Sequence, residues 1–447
     1  MTERHDIEQL SLHDRHVVKR IAQSSSSDKF IAKQDIRGEN GEVLIKAGHP
    51  VEKAHLNRLL TAKLLDPIDS ALIHSGGVTV NSATLVGAAQ KLIHNDPHTQ
   101  CLFNTMRNQL LPLDILKELD LPQQLAFKLH LLLETMPGMF SHSISVALTA
   151  MYIGIQEEMS SKELGQLAAA GLFHDIGELH LDPDLVGQPE YRTPHQEYHN
   201  RVHPLLGYML LKQFPKFQPE ISEAVLQHHE RLDGSGYPRG LIGDEISTFG
   251  QILSISELVC SVYEKDAPEQ AFIHLEAILH LNEPQFKQAY VEHLLGAYWH
   301  NNVTSSTVSQ EDVTYILGHL SKIGSIFRSW LELIEKQAKQ QSKEQHEAIG
   351  YISKHLNRMI NALHSMGYDP WHAKIGGADA ITDKKKISEG IAVIHETYYQ
   401  LNQMTNEYTY RWQDKGKDAV PDPLFKALGN WIDTLHTSLE QQSSSIR

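Results

Sequence analysis

The strongest constraint on this chain is the near-unbroken helical patterning between Leu121 and about His300, where apolar residues recur at steps of three and four. Gln124–Thr135 carries Leu125, Leu129, Leu132 and Leu133 at that spacing, and Ser141–Glu158 repeats it at Ile144, Ala147, Leu148, Met151 and Ile155. Each segment presents an apolar stripe that must be buried against other helices. Ser160 is placed to cap a further helix running to about Ile176, with Gly177 as its stop. Ile221–Glu230 reads as helix, Asp233–Pro238 as a turn-rich break, and helix resumes near Gly250. The pattern predicts a mainly α protein built on an all-helical core.

At 447 residues the chain exceeds what one hydrophobic core supports, so two or three domains are expected. Residues 1–27 are polar and end in the run Ser24–Ser27, the composition of a flexible arm. Asp28–Leu65 reads as a small N-terminal α/β unit. Asn40-Gly41 signals a hairpin between Ile36 and Val43-Leu44-Ile45, and a helix follows with His55, Leu56, Leu59, Leu60 and Leu64 on one face. Ser75-Gly76-Gly77 breaks the chain before helices around Thr84–His94 and Leu110–Asp120. Beyond residue 300, Val313, Ile316, Leu320, Ile323, Phe327, Trp330 and Ile334 form a heptad seam. After the polar stretch Gln337–Glu347 the pattern returns at Ile349, Ile352, Leu356, Met359 and Leu363, and Gly376-Gly377 with Lys384–Lys386 marks a loop before a last helical pair. Such a seam is more often the inside of a bundle than a surface for self-association or a protein partner. The expected division is 1–122 as an accessory region, 123–300 as the core domain and 301–447 as a C-terminal helical extension.

A hydrophobic content of 41% with 21% charged residues is that of an ordinary globular chain. No uninterrupted apolar run reaches bilayer length, and Met1–Leu10 lacks the apolar centre of a signal peptide, so no membrane and a cytoplasmic location are expected. Cys101 and Cys260 are the only cysteines, which excludes a disulfide framework and a thiolate zinc site. A formal net charge of −15 opposes broad binding to DNA. It leaves room for a small phosphorylated ligand, because bound cations invert the local field.

The compositional oddity is 28 histidines. Six positions matter most: His142, His174, Asp175, His203, His228 and His229 all fall in the helical middle. Imidazoles and carboxylates suit divalent first-row metals. An adjacent His174-Asp175 pair at a helix end lets the imidazole bind one ion while the carboxylate spans two. A second adjacent pair, His228-His229, sits at another helix end and runs directly into Glu230-Arg231-Leu232-Asp233-Gly234-Ser235-Gly236-Tyr237-Pro238.

That last string resembles the signature of the HD-GYP family, a branch of the HD phosphohydrolases. His142-Ser143 with Val146 resembles the family's first metal histidine, His174-Asp175 its HD pair, and His203-Pro204 with Gly207 its third block. The resemblance implies a helical, metal-dependent phosphodiesterase that opens cyclic di-GMP to linear pGpG or GMP. It implies a pair of iron, manganese or zinc ions about 3.5–4 Å apart. His142, His174, Asp175 and Glu257 would hold one ion, and Asp175, His203, His228 and His229 the other, with His174 and Asp175 at the catalytic centre. Arg231, Asp233, Gly236, Tyr237 and Pro238 would line the substrate side.

The chain also departs from the family pattern. Glu257, in Ser254-Ile255-Ser256-Glu257-Leu258, stands where an aspartate is usual and reaches one methylene further. Gly138 occupies the place of the glutamate found in members with three metals, which favours two. Glu178 stands where a lysine near the substrate phosphate is usual, and an Arg-Pro-Tyr-Arg-like stretch is replaced by Ser261-Val262-Tyr263-Glu264-Lys265-Asp266. These departures keep a second expectation in play: a catalytically degenerate member that signals through ligand or protein binding.

Overall fold

The computed structural model describes residues 14–23, 30–66, 68–76, 80–185, 196, 199–215, 219–265, 268–298, 309–336, 342–377, 383–412 and 422–443. The fold is mainly α, and its strands form only short two-stranded pairs among the described residues. Ser24–Ser27 and Met1–Leu10 lie outside the described residues. Tertiary contacts gather the chain into two compact units. One takes the described residues of 1–191, 199–264 and 284–301, the other those of 192–198, 265–283 and 302–447. The expected accessory region and most of the expected core thus share the first unit.

In the first unit the hairpin forms as expected, Ile36 pairing with Ile45, and its loop runs from Gly38 to Glu42. Gly41 holds φ +78 there, a conformation that costs glycine nothing. Phe30–Ala32 pairs antiparallel with Leu72–His74, a strand the hydrophobic pattern does not reveal. Helices Ser82–Asn95 and Leu111–Glu118 lie where the pattern puts them, and Pro97–Thr105 stands between them.

Five core helices, Pro137–Gln156, Ser161–Phe173, His203–Leu211, Pro219–Gln227 and Thr248–Lys265, carry the chemistry-bearing residues or end beside them. Pro137–Gln156 begins four residues before the expected start at Ser141, because Pro137 suits the first turn. It is also long and apolar enough to cross a membrane, contrary to the expectation from sequence, but 78% of its most apolar window is buried in the fold. It is a core helix. Ser161–Phe173 starts in a capping box between Ser160 and Glu163. It ends at Phe173 rather than near Ile176, and the chain tightens into a 3-10 turn over Ile176–His180. Gly177 therefore does not stop the helix. A Cβ on it would lie 2.0 Å from the His203 carbonyl oxygen, so glycine permits the turn to press against the His203–Leu211 helix. Gly171, in the preceding helix, allows a similar approach: a Cβ there would lie 2.6 Å from Cα of Ala147.

In the second unit the seam of the Gln310–Lys336 helix is internal. Val313, Ile316, Leu320, Ile323, Phe327 and Trp330 are buried with Ile352, Leu356, Met359, Leu401 and Leu428. Lys384–Lys386 forms the first turn of the Lys384–Trp412 helix rather than a loop. Two of the three lysines are paired there, Lys385 with Glu276 at 2.9 Å and Lys386 with Glu389 at 3.2 Å.

Candidate metal centre

The backbone sets the direction of three imidazoles before any ligand is considered. His174, His203 and His228 each follow a helical or turn carbonyl by three residues. Their Nδ1 atoms lie 2.8 Å from the Gly171 oxygen, 2.7 Å from Asn200 and 2.6 Å from Val225. A carbonyl can only accept, so each Nδ1 carries the hydrogen and each ring turns its Nε2 to the other side. All three rings are buried.

Those Nε2 atoms converge on Asp175. Its Oδ2 is 3.2 Å from His174 Nε2, and its Oδ1 is 3.1 Å from His203 Nε2 and 3.5 Å from His228 Nε2. The carboxylate thus divides its two oxygens between two clusters. His142, His174, Asp175 and Glu257 form one, and Asp175, His203, His228 and His229 the other, with ligand atoms in each lying within 4.8 Å of one another. The expected residues meet.

Glu257 resolves the ambiguity of its extra methylene. Its Oε2 lies 2.6 Å from His142 Nε2 and 3.1 Å from His174 Nε2, and Ser261 Oγ donates to its other oxygen at 2.9 Å. Sequence reasoning assigns no role to Glu264, yet its Oε1 is 2.8 Å from His142 Nδ1. A signal for it exists: Glu257, Ser261 and Glu264 share one face of the Thr248–Lys265 helix. A carboxylate behind a ligating histidine orients the ring and raises its basicity.

Electrostatics shows a site built for positive charge. Burial disfavours the charged form of His174, but the Asp175 charge and then Glu257 outweigh it and hold the imidazole at about 10. Burial likewise opposes charge on His142, and Glu257 with Glu264 raises it well above the usual range. Burial alone would raise Asp175, yet His174 and His203 hold it well below the carboxylate range. His228 goes the other way, to about 4, because burial and its cationic neighbours outweigh its hydrogen bond to Asp175. The outcome is His203 Nε2 facing His228 Nε2 at 3.1 Å, two atoms that cannot both present lone pairs without a shared proton or cation between them. The donor set fits divalent metal.

The Gly-Ser-Gly-Tyr-Pro segment closes over this centre. Tyr237 stacks on His229 with ring centroids 4.6 Å apart, and its N–H donates to the His229 carbonyl at 3.1 Å. The Arg201 guanidinium carbon lies 5.0 Å from the Tyr237 ring centroid. Gly236 is obligatory, since a Cβ would come within 2.4 Å of Arg231 N. The Tyr237-Pro238 bond is cis. Asp233 accepts Ser235 N–H at 3.0 Å, which makes it a turn residue. Arg231, expected on the substrate side, stands beside the centre, where its charge opposes charge on His229. Its Nη1 donates to the His228 and Glu230 carbonyls at 3.3 and 3.0 Å, and it covers the Phe286 ring. Glu230, unassigned from sequence, holds the loop by accepting Arg239 N–H at 2.7 Å and Leu241 N–H at 3.0 Å.

Glu178 is buried in the 3-10 turn after the HD pair, and its carbonyl accepts from Arg20 at 2.8 Å. Arg20 belongs to the Asp14–Gln23 helix, where composition alone suggests a flexible arm.

Comparison with known proteins agrees with this geometry. Residues 128–286 match the family model for the HD domain. A cyclic di-GMP phosphodiesterase of Pseudomonas aeruginosa is 29% identical over 163 residues, which is 34% of this chain and 38% of that protein. A cyclic di-GMP phosphodiesterase of Thermotoga maritima is 30% identical over 148 residues, 31% of this chain and 40% of that protein. A 3'3'-cGAMP-specific phosphodiesterase of Vibrio cholerae is 28% identical over 153 residues, 34% of this chain and 33% of that protein. The matched segment thus spans two fifths or less of each relative.

Proposed function

We propose that residues 128–286, which match the HD domain model, are of the HD-GYP type, and that the chain is a metal-dependent phosphodiesterase that hydrolyses cyclic di-GMP to pGpG or GMP. The observation that carries the reading is Asp175 dividing its oxygens between two histidine clusters. His142, His174, Asp175 and Glu257 would hold one divalent ion, and Asp175, His203, His228 and His229 a second, drawn from iron, manganese or zinc. Once bound, such a pair neutralises phosphodiester charge and lowers the pKa of a water to near neutrality.

The protein's own contribution is preorganisation. The Gly171, Asn200 and Val225 carbonyls lock three imidazoles as Nε2 ligands, so no tautomer has to change on loading. Glu264 holds the Nδ1 proton of His142. Tyr237 covers one face of His229 and restricts water on that side. Burial of His174, His203 and His228 lowers the local dielectric, which strengthens each charge interaction.

Metal analysis paired with chromatography of the nucleotide products tests this. The purified protein should carry about two metal ions and release pGpG, and His174→Ala should lose both properties. Full turnover by stripped protein kept in chelator would overturn the reading.

One observation favours a second reading, a degenerate member that binds ligand or protein and signals by contact. Burial opposes charge on His203, and Asp175 followed by Glu178 raises it. Glu178 thus puts an anion where the resemblance implies a cation for substrate phosphate. Calorimetric binding of cyclic di-GMP with no product after hours would select this reading; pGpG formation dependent on His228 would reject it.

A further inference from the structure

A third set of metal-ligating side chains lies outside the centre described above. His74, His130 and Glu134 bring one donor atom each within 4.8 Å of one another. We propose that they form a separate divalent-cation site of zinc type, built between the Leu72–His74 strand and the Gln123–Thr135 helix.

Local structure makes the grouping. His130 and Glu134 are four residues apart on one helix and therefore share a face. His74 is held opposite them by the strand pairing of Phe30 with His74. The His74 and His130 rings meet edge to face with centroids 4.5 Å apart, and Phe30 packs its edge against both at 6.1 and 6.4 Å. His130 is only 4% exposed, and the Nε2 of His74 is buried with no hydrogen-bond partner. Placing an imidazole nitrogen in such a pocket without a partner is unfavourable, and a cation removes that cost.

The donor set chooses the cation. Two imidazoles and one carboxylate suit zinc, with bonds of about 2.0–2.2 Å that donors already this close reach by small side-chain rotations. Three protein ligands leave a position for water. Loading has a local consequence. His74 Nδ1 accepts the Gly76 N–H at 3.1 Å, so the neutral ring carries its proton on Nε2. Binding through Nε2 shifts that proton to Nδ1 and releases the Gly76 N–H to solvent in an exposed turn. The site would pin the N-terminal strand pair to the first helix of the core.

The test uses the full chain, stripped with chelator and reloaded with zinc alone, beside His130→Gln and Glu134→Gln. Bound zinc after gel filtration, the thermal midpoint with and without zinc, and cyclic di-GMP hydrolysis are measured on all three. The unaltered chain should retain about one more zinc than either variant and gain several degrees more on loading, with hydrolysis kept in the variants. Amide exchange at Gly76 should quicken with zinc. Equal zinc content in folded variants and unaltered chain overturns the proposal; should His130→Gln not fold, the half-buried Glu134→Gln carries the same comparison. The difference between chains reads this site alone. A zinc difference without hydrolysis would therefore remove the phosphodiesterase reading and leave the site standing, and hydrolysis without a zinc difference would do the reverse.

Discussion

Replacing Gly177 by alanine probes the centre without touching a ligand. The backbone at Gly177 is not left-handed, so alanine adopts its conformation and the only new element is a methyl group. That methyl would begin 2.0 Å from the His203 carbonyl oxygen and 2.8 Å from Gly207 N, both backbone atoms. A relaxed contact is about 3.5 Å, so the 3-10 turn and the His203–Leu211 helix must separate by more than about 1 Å. Overpacking of this kind costs about 1–3 kcal/mol of stability. The greater loss is positional. Asp175 rides on one side of the contact and His203 on the other, 3.1 Å apart, whereas metal bonds tolerate shifts of about 0.2 Å. Metal content should fall from about two ions to about one per chain, the His142–Glu257 cluster keeping its own, and turnover should drop about 100-fold. Gly165→Ala is the control, because its Cβ meets nothing within 4 Å and it lies in the Ser161–Phe173 helix. It should be neutral or add up to about 1 kcal/mol. Metal analysis, thermal melting and product chromatography on both variants decide the matter. A Gly177→Ala protein with unchanged midpoint, both metals and full turnover would refute the packing argument.

Glu264→Ala removes the carboxylate behind His142 and should weaken metal binding or turnover about 10–100-fold while the fold persists, read by competitive chelation and circular dichroism. Glu178→Lys reverses the charge in the turn after the HD pair and should lower KM for cyclic di-GMP several-fold with kcat little changed; a higher KM would contradict a repulsive role. His98 is fully buried between Thr149 and Tyr298, and burial drives it down to about 4. Because the unfolded state then binds the extra proton, stability present above the ordinary histidine value of about 6.5 is lost as pH falls toward 4, by about 3 kcal/mol over the window. Urea denaturation at pH 7.5 and pH 5 should show a smaller drop for His98→Gln than for the unaltered chain.

The helical class, the order of the core helices and the candidate ligands were legible in the sequence because they are local. Apolar periodicity specifies a helix within its own span, and His174-Asp175 and His228-His229 announce themselves as adjacent pairs. The hairpin was equally local, carried by Asn40-Gly41. Where the chain turns out of helix after Phe173 was not legible, because the close approach of His203 to Gly177 decides it, and those two are distant in sequence.

Tertiary structure alone decided the rest. Whether Glu257 reaches the cluster depended on how far the Thr248–Lys265 helix stands from His142, which no spacing encodes. Arg231 reads as a substrate residue in a string, and only in space does its Nη1 reach the His228 and Glu230 carbonyls and the Ser254 hydroxyl. Glu264, Arg20 and the His74–His130–Glu134 group act across gaps of tens to more than a hundred residues, and each becomes visible only once packing brings its partners within a few ångströms. A sequence determines which chemistry is available; the distances that let donor atoms share a charge exist only in the folded chain.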